Sequence, residues 1–339
     1  MLLCVGSPII DYITDVDNDP SFLKKYQLES DGAVKADYRH EKLFEDILGL
    51  RDTKVVPAGS VTNTARVFRW ISKKGEVMYV GAIGKDKNGR LIKLRLDSEN
   101  VPYRFLERKT EMTGRCAALI SVGGKYRSLV TDLGAGGTFR PEDLNDNLWE
   151  TINKCTMIYI SAFFLNVSVE VTELLIRHFK RAGKKVAVNL GAEFLCRLHP
   201  GNVRYMVENA DIVFGNVKEL LVLCETLDII GQTTEELLEK FYCAFTDETS
   251  NTEKILVFTA DSKPVVTRSR AGLKYFPVGV VDNIVDTNAC GDSFAGGFLA
   301  KTMERCSLEE CVRCGLWCAA VVIRTMGCEF ETVLEYEQT

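Results

Sequence analysis

The sequence predicts an α/β fold: a mostly parallel central sheet flanked by helices, with a smaller β-rich α/β unit set apart as a lid. Three observations carry that expectation. From residue 155 onward, short apolar runs alternate with helical patterns, the rhythm of parallel strands joined by crossover helices. Between 116 and 131, two strand-like runs flank Gly123-Gly124-Lys125, a hairpin signal foreign to that rhythm. The chain has 339 residues, which suits one large domain with an appendage.

In chain order, Leu2 to Val5 reads as a buried opening strand. Residues 18–54 are polar and irregular, with a helix near 40–50. A Gly-Ser turn at Gly59-Ser60 feeds a helix with Val67, Phe68 and Ile71 on its apolar face. Residues 77–80 form a strand, 81–89 a loop and 90–99 a helix. Residues 116–121 and 128–131 are the hairpin strands, with Arg127 at the hairpin base. Gly134-Ala135-Gly136-Gly137 is a flexible connection. It is not a dinucleotide fingerprint, since Phe139 stands where the third glycine belongs. Strands at 157–160, 185–189, 211–214 and 255–259 then alternate with helices at 168–182, 193–209, from about 217, and 234–246. Residues 264–279 read as antiparallel strands, and helices at 292–303 and 307–325 close the chain. The resulting division places 1–11, 59–101 and 134–339 in a large nucleotide-binding domain, and 12–58 and 102–133 in the lid.

Composition narrows the function classes. The chain is 46% hydrophobic and 26% charged, ordinary for a soluble globular protein. A net charge of −5 disfavours a broad nucleic-acid surface. No run approaches the roughly 18 apolar residues of a membrane span. The apolar opening lacks a basic leader, so no signal peptide is expected. The twelve cysteines are scattered, and buried thiols are expected rather than disulfides. Cys311, Cys314 and Cys318 lie on one helical face and read as core. His40, His178 and His199 show no ligand spacing. A cytoplasmic protein follows, with the nucleus as a second compartment.

Chemistry concentrates in Asp286-Thr287-Asn288-Ala289-Cys290-Gly291-Asp292. Asp286 and Thr287 are natural cap or turn residues, and a helical pattern begins behind them. Free N–H groups at a helix start favour an anion, and Asp292 beside them can take a proton from a hydroxyl. Hydroxyl phosphorylation needs both. Asp11 and Asn189 sit at strand exits, where α/β sheets bind ligands. Asn63 lies in the first turn of its helix. Asn216 and Glu219 lie three residues apart at another helix start. They read either as a capping box or as a pair that holds hydrated Mg²⁺ and phosphate through water.

The seven-residue loop resembles the Asp-Thr-x-Gly-Ala-Gly-Asp signature of the ribokinase-like carbohydrate and nucleoside kinases. The whole chain resembles the adenosine kinases of that superfamily. Gly6-Ser7-Pro8-Ile9-Ile10-Asp11 is similar to their Gly-Asn-Pro-Leu-Leu-Asp, and Gly59-Ser60-Val61-Thr62-Asn63-Thr64 to most of their Gly-Gly-Ser-x-x-Asn-Ser. Thr113–Ala118, Arg127-Ser128-Leu129, Ala162–Leu165, Phe214–Glu219 and Ile323–Cys328 match further blocks in order.

The resemblance implies a ribokinase-like fold and transfer of the ATP γ-phosphate to the 5′-hydroxyl of adenosine, giving AMP in purine salvage. Asp292 would be the base. Backbone N–H groups of Ala289, Cys290 and Gly291 would hold the phosphoryl group, and Arg127 would add positive charge. Asp11 would bind the ribose hydroxyls, with Gly59, Ser60 and Asn63 beside it. Ile9, Val34, Leu129 and Phe164 would line the adenine pocket. Asn189, Asn216, Glu219, Thr259 and Asn288 would serve ATP, with Mg²⁺ held by Asn216 and Glu219 through water. A K⁺ dependence and a monomer are also implied, with no K⁺ ligand assigned.

The departures from the pattern matter. Ala58 and Ala289 replace glycines, and Cys290 replaces alanine. If residue 289 needs positive φ, alanine there costs roughly 1 kcal/mol or more. A kinase for another nucleoside or a sugar, or a non-catalytic nucleoside-binding relative, therefore stays open.

Overall fold

The computed structural model describes residues 1–19, 21–30, 32–72, 75–122, 126–246 and 253–337. The expected hairpin tip, Gly123-Gly124-Lys125, lies outside them. Fourteen strands run in chain order among the described residues: β1 (Leu2–Val5), β2 (Ile9–Asp15), β3 (Gly32–Lys35), β4 (Lys54–Ala58), β5 (Val77–Gly84), β6 (Tyr103–Arg108), β7 (Thr113–Ser121), β8 (Tyr126–Gly134), β9 (Met157–Ser161), β10 (Lys185–Asn189), β11 (Ile212–Asn216), β12 (Ile255–Ala260), β13 (Lys263–Ser269) and β14 (Gly272–Phe276).

They build two sheets. The larger has nine strands in the order β14-β13-β12-β11-β10-β9-β1-β5-β6. From β12 to β6 every pairing is parallel, and β13 and β14 add an antiparallel edge. Strand β1 lies inside the sheet, and its side chains alternate between faces. Leu2 and Cys4 pack in one buried cluster with Phe68, Phe294 and Phe298, while Leu3 and Val5 pack in the other with Phe179 and Phe241. Apolar strands with helices on both faces are what a parallel sheet requires.

The smaller sheet has five strands in the order β3-β8-β7-β2-β4. It is mixed: β7–β8 and β2–β4 are antiparallel, while β2–β7 and β3–β8 are parallel.

Three local expectations change. Residues 103–108, expected in the lid, pair with β5 as the edge of the large sheet, Tyr79 opposite Tyr103. Tyr79 and Phe105 meet edge to face at 5.4 Å, so the crossover from the preceding helix returns its aromatics to the main core. Residues 9–11 open β2 in the small sheet, so Asp11 lies within a strand of that sheet. Strand β5 runs on to Gly84, and the next helix, Lys87–Ser98, starts early because Asp86 accepts from the Gly89 N–H as its cap. Cys311, Cys314 and Cys318 are buried, as read from their spacing, and all twelve cysteines are free thiols.

Candidate active site

Asp292 is the centre of the site. It lies in the first turn of the helix Cys290–Met303, and it is held from the side by the helix Ser60–Ile71. Ser60 Oγ donates to Asp292 Oδ1 at 2.6 Å, and Asn63 Nδ2 donates to Oδ2 at 3.0 Å. Thr64 Oγ1 donates to the Asp292 carbonyl at 3.2 Å. One residue before Ser60, Gly59 has φ 111°, and a Cβ there would stand 2.6 Å from the Ser7 carbonyl oxygen. The turn that delivers Ser60 and Asn63 therefore requires glycine. Burial raises the Asp292 carboxyl to about 6, against the lowering effect of Ser60 and Asn63.

Asp11 is buried in β2, and its Oδ1 has no partner among the described residues. Burial, then the charges of Asp286 and Asp292, push its carboxyl to about 7, while Arg127 acts in the opposite direction. Asn63 Oδ1 is likewise buried and without a partner among the described residues. Two inward acceptors thus lie beside a carboxylate that can take a proton, a set matched to a ligand rich in hydroxyl donors.

The loop before the helix differs from expectation. Asp286 does not cap it. The N-cap is Ala289, with φ −95° and ψ 7°. Alanine adopts that conformation freely, so the methyl at 289 carries no backbone penalty. The Cys290 N–H lies 3.4 Å from the Thr287 carbonyl, its Sγ lies 3.9 Å from the Asp286 carbonyl, and burial pushes its thiol up to about 12. Gly291 is exposed, with open space where a Cβ would go.

Asp286, which the sequence offered only as a cap or turn residue, is buried. It accepts from the Asn288 N–H at 2.7 Å and the Gly327 N–H at 2.9 Å, and forms an ion pair with Arg127 Nη2 at 2.8 Å. Arg127, expected at a phosphate, is thus paired with this carboxylate. Two of the three partners of Asp286, Arg127 and Gly327, lie far away in sequence, so nothing local signalled the role.

Other expected residues fall as follows. Asn216 and Glu219 form the capping box: the Asn216 N–H and Nδ2 donate to Glu219 at 2.9 and 2.8 Å, and the Glu219 N–H donates back to Asn216 Oδ1 at 2.8 Å. Burial raises the Glu219 carboxyl to about 7. Each carboxylate oxygen accepts once within the box and has capacity for a further donor, which fits a hydrated Mg²⁺ held through water. No group of three or more His, Cys, Asp or Glu among the described residues could chelate a metal directly.

Asn189 donates to the Tyr159 hydroxyl at 3.2 Å and accepts from the Gly191 N–H at 2.9 Å. Thr259 Oγ1 stands 3.5 Å from the Gly215 carbonyl.

The apolar set is only partly together. Ile9 in β2 and Leu129 in β8 are half-buried on strands of the small sheet separated by β7, and Val34 is 45% exposed on edge strand β3, beside β8. Phe164 is a correction: it is 2% exposed and packs edge to face on Phe139 in the core. Its neighbour Phe163 is the exposed ring, with Phe194 at 6.1 Å between centroids. Both lie in a 3₁₀ turn, where successive side chains point in different directions.

The pattern of the pfkB family carbohydrate kinases matches residues 32–333. The chain is 32% identical over 334 residues to the adenosine kinase of Saccharomyces cerevisiae, covering 96% of this chain and 95% of that protein. It is 29% identical to adenosine kinase 2 of Arabidopsis thaliana, with 97% and 95% covered. Among solved structures, Anopheles gambiae adenosine kinase in complex with P1,P4-di(adenosine-5) tetraphosphate superposes with a TM-score of 0.91 at 28% identity, covering 100% of this chain and 99% of that one. Schistosoma mansoni adenosine kinase in complex with 2-fluoroadenosine gives 0.88 at 25% identity, with 97% of each chain covered. With the family pattern spanning most of the sequence and near-complete overlap with these relatives, the chain belongs to the pfkB family of carbohydrate kinases.

Proposed function

We infer that the protein is an adenosine kinase, an ATP-dependent phosphotransferase that makes AMP from adenosine. The observation that carries this reading is the pair of buried acceptors without a partner among the described residues, Asp11 Oδ1 and Asn63 Oδ1, beside the braced carboxylate of Asp292. Curated relatives across nearly the whole chain carry the same name.

Asp292 takes the proton of the 5′-hydroxyl as its oxygen attacks phosphorus. A folded pKa of about 6 leaves it ionised at neutral pH yet basic enough to accept. Asp11 accepts from the ribose hydroxyls, with Gly59, Ser60 and Asn63 supporting that edge. The N–H groups of Ala289 and Gly291 at the helix start, and the guanidinium of Arg127, balance the charge of the transferring group, while the Cys290 N–H turns to it only by leaving the Thr287 carbonyl. Ile9, Leu129 and Val34 from the small sheet cover the base. Asn189, Asn216, Thr259 and Asn288 serve the nucleotide. Phosphoryl transfer depends mainly on such positioning and charge, and the small sheet as lid keeps water from the phosphoryl group.

Asn216 and Glu219 would hold Mg²⁺ through its waters, and the ion supplies neutralisation of phosphate charge. K⁺ dependence, a monomeric state and a cytoplasmic location complete the proposal, the last supported by twelve free thiols.

The test is product formation from ATP·Mg²⁺ with adenosine, inosine, guanosine and ribose in parallel. AMP well above the other products supports the reading. A dominant product from ribose or another nucleoside reassigns the substrate.

A further inference from the structure

We propose that Asp286 is a positioning residue for phosphoryl transfer: it holds the Arg127 guanidinium over the loop that leads to Asp292. The proposal rests on the kinase reading above and adds a role to a residue to which that reading gives none.

Three parts of the chain converge on this carboxylate. Oδ1 accepts from Asn288 N–H in its own loop and is ion-paired with Arg127 Nη2 at the start of β8, and Oδ2 accepts from the Gly327 N–H. The Gly327 turn is itself fixed. Arg66 Nη1 donates to the Cys328 carbonyl at 2.8 Å, and Arg66 is buried against Glu99 through two contacts of 2.7 and 2.6 Å. Met326, one residue earlier, packs against Ile13, Ala118 and Ile120 on the small sheet. Asp286 therefore stands on a rigid base at the junction of the two sheets.

Arg127 pairs with Asp286 through one end of its guanidinium. Its Nη2 is on Asp286, while its Nε is buried with no partner among the described residues. An ion pair at one nitrogen of a planar guanidinium restricts the directions the others can take. The buried, unsatisfied Nε marks where an anionic oxygen is to be received. Without Asp286 the side chain keeps its charge and loses its aim.

A brace for the loop alone would use the same N–H bonds, so the test must separate the two roles. Four proteins are compared: the parent, Arg127→Ala, Asp286→Asn and the double variant. AMP turnover at saturating substrates is read with affinity for a non-hydrolysable ATP analogue, and melting curves report folding. Asp286→Asn should lower turnover about 10-fold or more, with KM for adenosine within about 2-fold. In the Arg127→Ala background it should cost less than about 2-fold, and analogue affinity should show the same non-additivity. An undiminished loss in that background makes Asp286 a loop brace and overturns the proposal. A parent that makes no AMP overturns the kinase reading instead, and the cycle in analogue affinity then decides the role of Asp286. Where Asn unfolds the loop, Asp286→Glu provides the same cycle with the charge kept.

Discussion

Ser60 Oγ lies 2.6 Å from Asp292 Oδ1, so the carboxylate proposed as the base is held by a residue 232 positions earlier in the chain. Burial raises the Asp292 pKa, and this bond with that of Asn63 lowers it, leaving about 6. Ser60→Ala removes one lowering contact. The acid limb of the pH–rate profile should move to higher pH, with turnover reduced several-fold near pH 6 and much less near pH 9. The other charged groups near this carboxylate, Asp11 and Glu219, titrate close by, so the informative quantity is the displacement between parent and variant. An unmoved limb removes Ser60 as a determinant of the base.

Asp11 should make nucleoside affinity pH-dependent. Its folded pKa of about 7 means that the carboxylate needed to accept ribose hydroxyls is half-formed near neutrality. Adenosine affinity should rise between pH 6 and 8, approaching tenfold per unit well below the pKa. Calorimetry should show this slope lost in Asp11→Ala, which binds adenosine more weakly throughout. If 2′,3′-dideoxyadenosine binds the parent as well as adenosine does, the ribose role is wrong.

Gly59→Ala should destabilise the fold by on the order of 1–3 kcal/mol and lower turnover as well, because φ 111° and the Ser7 carbonyl both oppose a Cβ. Ala289→Gly, by contrast, should change turnover by less than about 2-fold, since residue 289 sits at φ −95°. Melting curves and steady-state rates distinguish these outcomes.

The site should also cost stability. Asp292 binds its proton more tightly folded than unfolded, so its contribution favours folding at low pH and is lost as pH rises through about 6. Neutralising it in Asp292→Asn should therefore stabilise the unliganded protein at pH 8, on the order of 1–3 kcal/mol, with little gain at pH 4. Equal melting shifts at both pH values would contradict that origin.

The parallel core was legible in the sequence because its strands are buried on both faces. Leu2–Val5 and Lys185–Asn189 appear as short apolar runs with the expected bounds. Strand β6 was not, because Tyr103 to Arg108 alternates like a lid strand and only its pairing with β5 assigns it. Asp292 stood out through local spacing. Asp286 did not, since its meaning depends on Arg127 and Gly327, brought to it only by the fold. The exchange of Phe163 for Phe164 at the surface depends on backbone direction within a 3₁₀ turn. The effect of alanine at 289 depends on the sign of φ, which composition does not carry.

The most direct measurement is single-turnover AMP formation from ATP·Mg²⁺ and adenosine, parent against Asp292→Asn, with adenosine affinity measured on the same samples. The account predicts AMP from the parent, a rate lower by on the order of 10²-fold or more in the variant, and nearly equal affinities. Equal rates would contradict Asp292 as the base, and a parent that binds adenosine yet forms no AMP would contradict the kinase assignment itself.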